Sequence, residues 1–166
     1  MISAETVTHT WQQMSAMPDD QALELVQQMS REQPIVFVYL LTQSGRRSLD
    51  EHEGQLCFYV GLAVWQIMKQ SPKRLRQVTR AKLEQAEQVN KEFLDLLDTD
   101  TEADFFSAMK TMFENYPEPE VFDSIVKILM DDADYAPDDP PIRDENRGLA
   151  LMHLKVILDT LIGSCD

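Results

Sequence analysis

Glycine is scarce in this sequence, with five in 166 residues, and the shortage argues against collagen, glycine-rich linkers and turn-dense β architectures. Cysteine is scarcer still. Cys57 and Cys165 occur in no CxxC or CxxH spacing, so a disulfide framework, a zinc ribbon and a thioredoxin-type motif are all excluded, and reduced thiols are expected. Long hydrophobic runs are missing too. The two strongest, Ile35–Leu41 and Leu56–Trp65, fall far short of the roughly 20 apolar residues that span a bilayer. No basic residue precedes Arg31, which leaves the N-terminal stretch without the positive start of a secretory signal. The expected location is cytoplasmic, with no membrane partner.

Positive charge is the fourth shortage. Fifteen Lys and Arg face 29 Asp and Glu, a formal net charge of −14 that argues against nucleic acid as the main partner. GxSxG, GxGxxG, the P-loop and HExxH are all absent. The acidic stretch Asp131–Pro141 offers Asp132, Asp134 and Asp138 to a cation. An EF-hand loop needs glycine at its sixth position and a bidentate glutamate at its twelfth, and here these are Pro137 and Arg143. His52, in Asp50-Glu51-His52-Glu53, has neighbours that point around a helix rather than toward one ion. No metal and no cofactor is expected.

What the sequence has is helical periodicity. Val7, Trp11 and Met14 mark one face of a helix over 4–16; Leu25 and Met29, with Ala22 and Val26, mark a second over 20–32. Pro34 opens a third, 34–43, which is apolar on all sides and so expected to be central; its β-branched content alone would suit a strand, but no partner strand is available. Ser48 or Asp50 is positioned to cap a helix over 49–70, whose small residues Gly54, Cys57 and Gly61 predict a tight helix crossing. Ser71-Pro72 suggests a fresh helix start running to about 97, with Leu75, Val78, Leu83, Ala86, Val89 and Phe93 as its stripe. Further helices are expected over 102–115, 119–131 and 143–162, the last with Arg147, Lys155 and Asp159 outside. The reading is all-α: one domain over 1–166, a compact orthogonal bundle of seven or eight helices centred on 34–43, 49–70 and 143–162.

The charge is unevenly placed. Residues 72–91 hold six basic and two acidic side chains, whereas residues 92–166 hold five basic and nineteen acidic. Lys73, Arg74, Arg76 and Arg80 would sit at the start of a helix, where the dipole disfavours cations. Three explanations compete: internal pairing with the acidic loop 131–139, a chance solvated face, or docking of an acidic or phosphorylated protein. A Phe/Met stripe, Phe105, Met109 and Met112, fits ordinary core or an adaptable peptide groove. His153 is expected to point inward, as a hydrogen-bonded core residue or as the centre of a ligand site. The leading expectation is a non-catalytic protein-interaction module. The alternatives are a self-associating homodimer, using the Gly54/Gly61 groove or an apolar helix face, and a small-ligand binder or enzyme built around His153.

Overall fold

The computed structural model describes residues 1–44, 49–99, 107, 110–130 and 142–166. Its helices are α1 (Ala4–Ser15), α2 (Asp19–Glu32), α3 (Pro34–Ser44), α4 (Glu51–Met68), α5 (Arg80–Thr99), α6 (Pro119–Met130) and α7 (Asp144–Ile162). Residues 110–114 are helical as well. The chain is an all-α bundle, as its periodicity predicts. Among the described residues no strand forms, only an isolated antiparallel bridge between Leu75 and Cys165.

Local chemistry sets the helix starts. Ser3 Oγ accepts from the Thr6 amide and caps α1. At α4 the cap is Asp50: its carboxylate accepts from the Glu53 amide while Glu53 accepts from the Asp50 amide, a reciprocal capping box. Pro34 opens α3, where its missing N–H costs nothing.

The core runs along α4 and α7. Val60, Ala63, Val64, Trp65 and Ile67 of α4 are wholly buried, as are Ala150, Met152, Leu158 and Leu161 of α7. α3 and α7 pack on α4, while α5 and α6 pack on α7. Each large apolar side chain taken out of water contributes roughly 1.5–3 kcal/mol. At Gly61 a Cβ would lie 2.5 Å from Leu40 Cδ2, so α3 crosses α4 at this residue and needs its missing side chain. The predicted tight crossing is therefore internal: Leu40 occupies the surface at Gly61 that a second copy of the chain would have used.

Three expectations are corrected. α3 is not apolar-buried all round, since Val38 and Leu41 are 60% and 50% exposed. Its inward face is Val36, Tyr39 and Leu40, and packing against α4 from one side leaves the opposite face to solvent. The helix expected from 72 starts at Arg80, where Thr79 Oγ1 accepts from the Lys82 amide. Its buried stripe is Leu83, Ala86 and Asn90, and Val89 is 57% exposed. On α7, Lys155 points inward and is 4% exposed; a carboxylate four residues on and an amide from α5 give it partners inside the bundle.

Candidate functional site

The basic residues Lys73, Arg74 and Arg76 lie on an extended segment between α4 and α5. The last turn of α4 frays through bonds from the Gln70 amide to Ile67 O and from the Ser71 amide to Met68 O, and Pro72 prevents the helix from resuming. The segment then pairs with residues 164–166. The Arg74 amide donates to Asp166 O (3.0 Å), the Asp166 amide to Arg74 O (3.1 Å), and the Arg76 amide to Ser164 O (2.9 Å). Buried Gln33, at the α2–α3 junction, holds the segment further along: its Nε2 donates to Arg76 O (3.0 Å) and its Oε1 accepts from the Val78 amide (2.8 Å). Val78 is buried and Leu75 half-buried, while Lys73, Arg74, Arg76 and Arg80 are exposed. No helix dipole therefore opposes the first three cations.

Arg76 Nε contacts Asp166 Oδ2 at 2.5 Å, an exposed pair worth little in water. Lys82 Nζ donates to Gly163 O. Among the described residues, Lys73, Arg74 and Arg80 form no ion pair. The acidic loop 131–139 expected to neutralise them lies outside the described residues.

A cavity of about 390 Å³ opens beside the segment. Its walls carry Lys69, Lys73 and Arg74 with Glu32, Gln33 and Ser71, and Trp65 contributes to its lining. The Lys69 ammonium sits 4.0 Å from the Trp65 ring centroid. Burial lowers the Lys69 pKa, with the Glu32 carboxylate pulling the other way. Trp65 is wholly buried, and among the described residues its indole N–H has no acceptor.

His153 does point inward. Its Nδ1 and Tyr39 Oη share a hydrogen bond of 3.2 Å, with the two rings edge to face. The pair lines a cleft of about 360 Å³ together with Gln43, Glu84, Glu87, Gln88 and Lys91. Of the Phe/Met stripe, Phe105 and Met109 lie outside the described residues; Met112 is half-buried and packs against the core. Among the described residues no three His, Cys, Asp or Glu side chains are placed to hold a metal ion. None of the described helices is long and apolar enough to cross a membrane.

Two buried polar clusters escape sequence reasoning. Glu53 receives the Arg143 amide (2.9 Å), its guanidinium (2.8 and 3.1 Å) and Asn146 Nδ2 (3.0 Å), which joins the start of α4 to the start of α7. Burial pushes the Glu53 carboxyl up, but these bonds, with the Asp50 amide, outweigh it and hold the group at about 2. The capping-box spacing Asp50-x-x-Glu53 was the available signal. In the second cluster, Lys155 Nζ donates to Asn90 Oδ1 (2.8 Å) and Asp159 Oδ2 (2.6 Å), and Asp159 also accepts from Asn90 Nδ2 (2.8 Å) and from Tyr116 Oη. The Tyr116 hydroxyl is held protonated well above its ordinary pKa by burial and by Asp159. Here the hint was Asn90, four residues after Ala86 and seven after Leu83, in phase with both. Both clusters are internally satisfied and read as fold-specifying rather than reactive. Comparison of the chain with protein-family models, curated proteins and solved structures finds no match.

Proposed function

We propose that the protein is a non-catalytic interaction module, and that Lys73, Arg74, Arg76 and Arg80 capture an acidic or phosphorylated segment of another protein. One observation carries this reading. Exposed Lys73, Arg74 and Arg76 stand on a segment tied down by residues 164–166 and by Gln33, Arg80 follows at the start of α5, and among the described residues Lys73, Arg74 and Arg80 have no ionic partner. A backbone already fixed spares the partner much of the ordering cost of association. The net charge of −14 repels polyanions at long range and favours a short anionic segment that meets only the local positive field.

The test is affinity capture from native lysate with the full chain and with Lys73→Glu/Arg74→Glu/Arg80→Glu, leaving Arg76 in place because it contacts Asp166. Loss of specific captured proteins in the variant, with unchanged helical circular dichroism, supports the module; identical capture removes the patch from it.

A second reading has its own support. The cleft over Tyr39 and His153 brings a buried imidazole and phenol beside two carboxylates and a lysine, a lining suited to a small polar ligand. Tyr39→Phe and His153→Gln should then abolish the stabilisation by any metabolite that raises the melting temperature of the parent chain. Stabilisation that survives both changes places the ligand elsewhere.

A further inference from the structure

We infer that the cavity between Trp65 and the segment 71–75 is a seat for a phosphate monoester carried by a protein segment. The inference rests on the interaction-module reading and names the group recognised and the place that recognises it. Three cationic side chains, Lys69, Lys73 and Arg74, line the cavity against one carboxylate, Glu32. That is a formal surplus of two positive charges. A phosphate monoester near neutral pH carries close to two negative charges and balances it; a single carboxylate leaves half of it unmet.

The cavity also differs from a flat charged surface. Trp65 is wholly buried, contributes to the lining and carries an N–H with no acceptor among the described residues. Lys69 is held over the same indole, half-buried, so its ammonium has already lost part of its hydration before any ligand arrives. Lys73 and Arg74 extend from backbone that is anchored through residues 164–166, so the two flexible cations approach the half-buried one from a fixed rim. The surplus of two positive charges and the anchored rim together distinguish this cavity from the other described ones, whose linings carry less positive charge. The cleft at His153 carries two carboxylates and one lysine, and the groove between α1 and α6 carries Glu120 and Asp123 with Lys127.

The experiment is a titration of the isotope-labelled full chain, at constant ionic strength, with a phosphoserine peptide, its unphosphorylated twin, inorganic phosphate and sodium chloride. Amide signals of residues 71–75 and the Trp65 indole signal, assigned with a Trp11→Phe variant, are the readout. Saturable shifts are expected with the phosphopeptide and more weakly with inorganic phosphate, and none with the twin. Lys73→Glu/Arg74→Glu should weaken phosphopeptide binding about tenfold or more, because charge-assisted bonds are replaced by repulsion. Glu32→Gln should tighten it, a gain that damage to the fold would not produce. Non-saturating drift matching sodium chloride, or equal affinity in the double variant, overturns the seat. Inorganic phosphate binding as tightly as the phosphopeptide overturns its assignment to a protein segment. If capture depends on the basic patch while the phosphopeptide fails to bind, the seat falls and the module stands; if the phosphopeptide binds but capture ignores the patch, the module falls.

Discussion

Glu53 is the most informative residue to perturb, because one carboxylate ties together the starts of the two central helices. Its side chain is 2% exposed and takes bonds from Arg143, Asn146 and the Asp50 amide. A carboxyl held at about 2 in place of 4.5 is worth about 3 kcal/mol of folding free energy once both states are ionised. Arg143 is half exposed and water screens it, so we take about 2 kcal/mol. The folded-state pKa lies below the unfolded one. The contribution is therefore complete above about pH 5 and is lost as pH falls from 4.5 toward 2. Glu53→Gln removes the charge and sets an amide N–H₂ against the donors of Arg143 and Asn146. Urea unfolding followed by circular dichroism should show the variant about 2–4 kcal/mol less stable at neutral pH, in the range for breaking a buried pair. The gap should narrow by more than half near pH 2.5, where the parent's own carboxyl begins to protonate. A gap that stays constant across that range, or one below about 0.5 kcal/mol at neutral pH, refutes the electrostatic account of the α4–α7 junction.

Lys155→Met should cost about 3 kcal/mol in the same assay by leaving Asp159 among Asn90 and Tyr116 without its cation, and Lys155→Met/Asp159→Leu should recover part of that loss. Gly61→Ala, whose new methyl meets Leu40, should lower stability by about 1–2 kcal/mol despite alanine's better helix propensity; the penalty should vanish in a Leu40→Ala background if the clash is its cause. Alkylation of the native protein near pH 8, followed by mass spectrometry, should modify half-buried Cys165 well before Cys57, which burial and the nearby Glu53 push up to about 12; equal rates would contradict that burial.

The features legible in the sequence are those that periodicity and caps determine locally. Val7 and Met14 on α1, Leu25 and Met29 on α2, and the long apolar stretch of α4 with Asp50 at its head lie where their spacing puts them. The apparent serine–proline helix start at Ser71-Pro72 misleads because a proline preceded by a serine suits an extended turn equally well. The choice is made by groups far away in the chain: Gln33 and residues 164–166 satisfy the backbone that a helix would have satisfied itself. Lys155 misleads for a related reason. A charged residue on a helix is ordinarily outside, and Asp159 on the same helix together with Asn90, sixty-five residues earlier, makes its burial tolerable. For the candidate site, the basic cluster could be read from composition; the cavity could not, since Trp65 and Lys69 join Lys73 and Arg74 only through the turn after α4.

The tether formed by Ser164 and Asp166 also bears on the order of events during synthesis. Residues 73–76 leave the ribosome some ninety positions ahead of the amides and carbonyls they require. Until those arrive, Arg74 and Arg76 lack most of the backbone partners that fix them, so the spacing of these cations is set last by a stretch of chain far from their own.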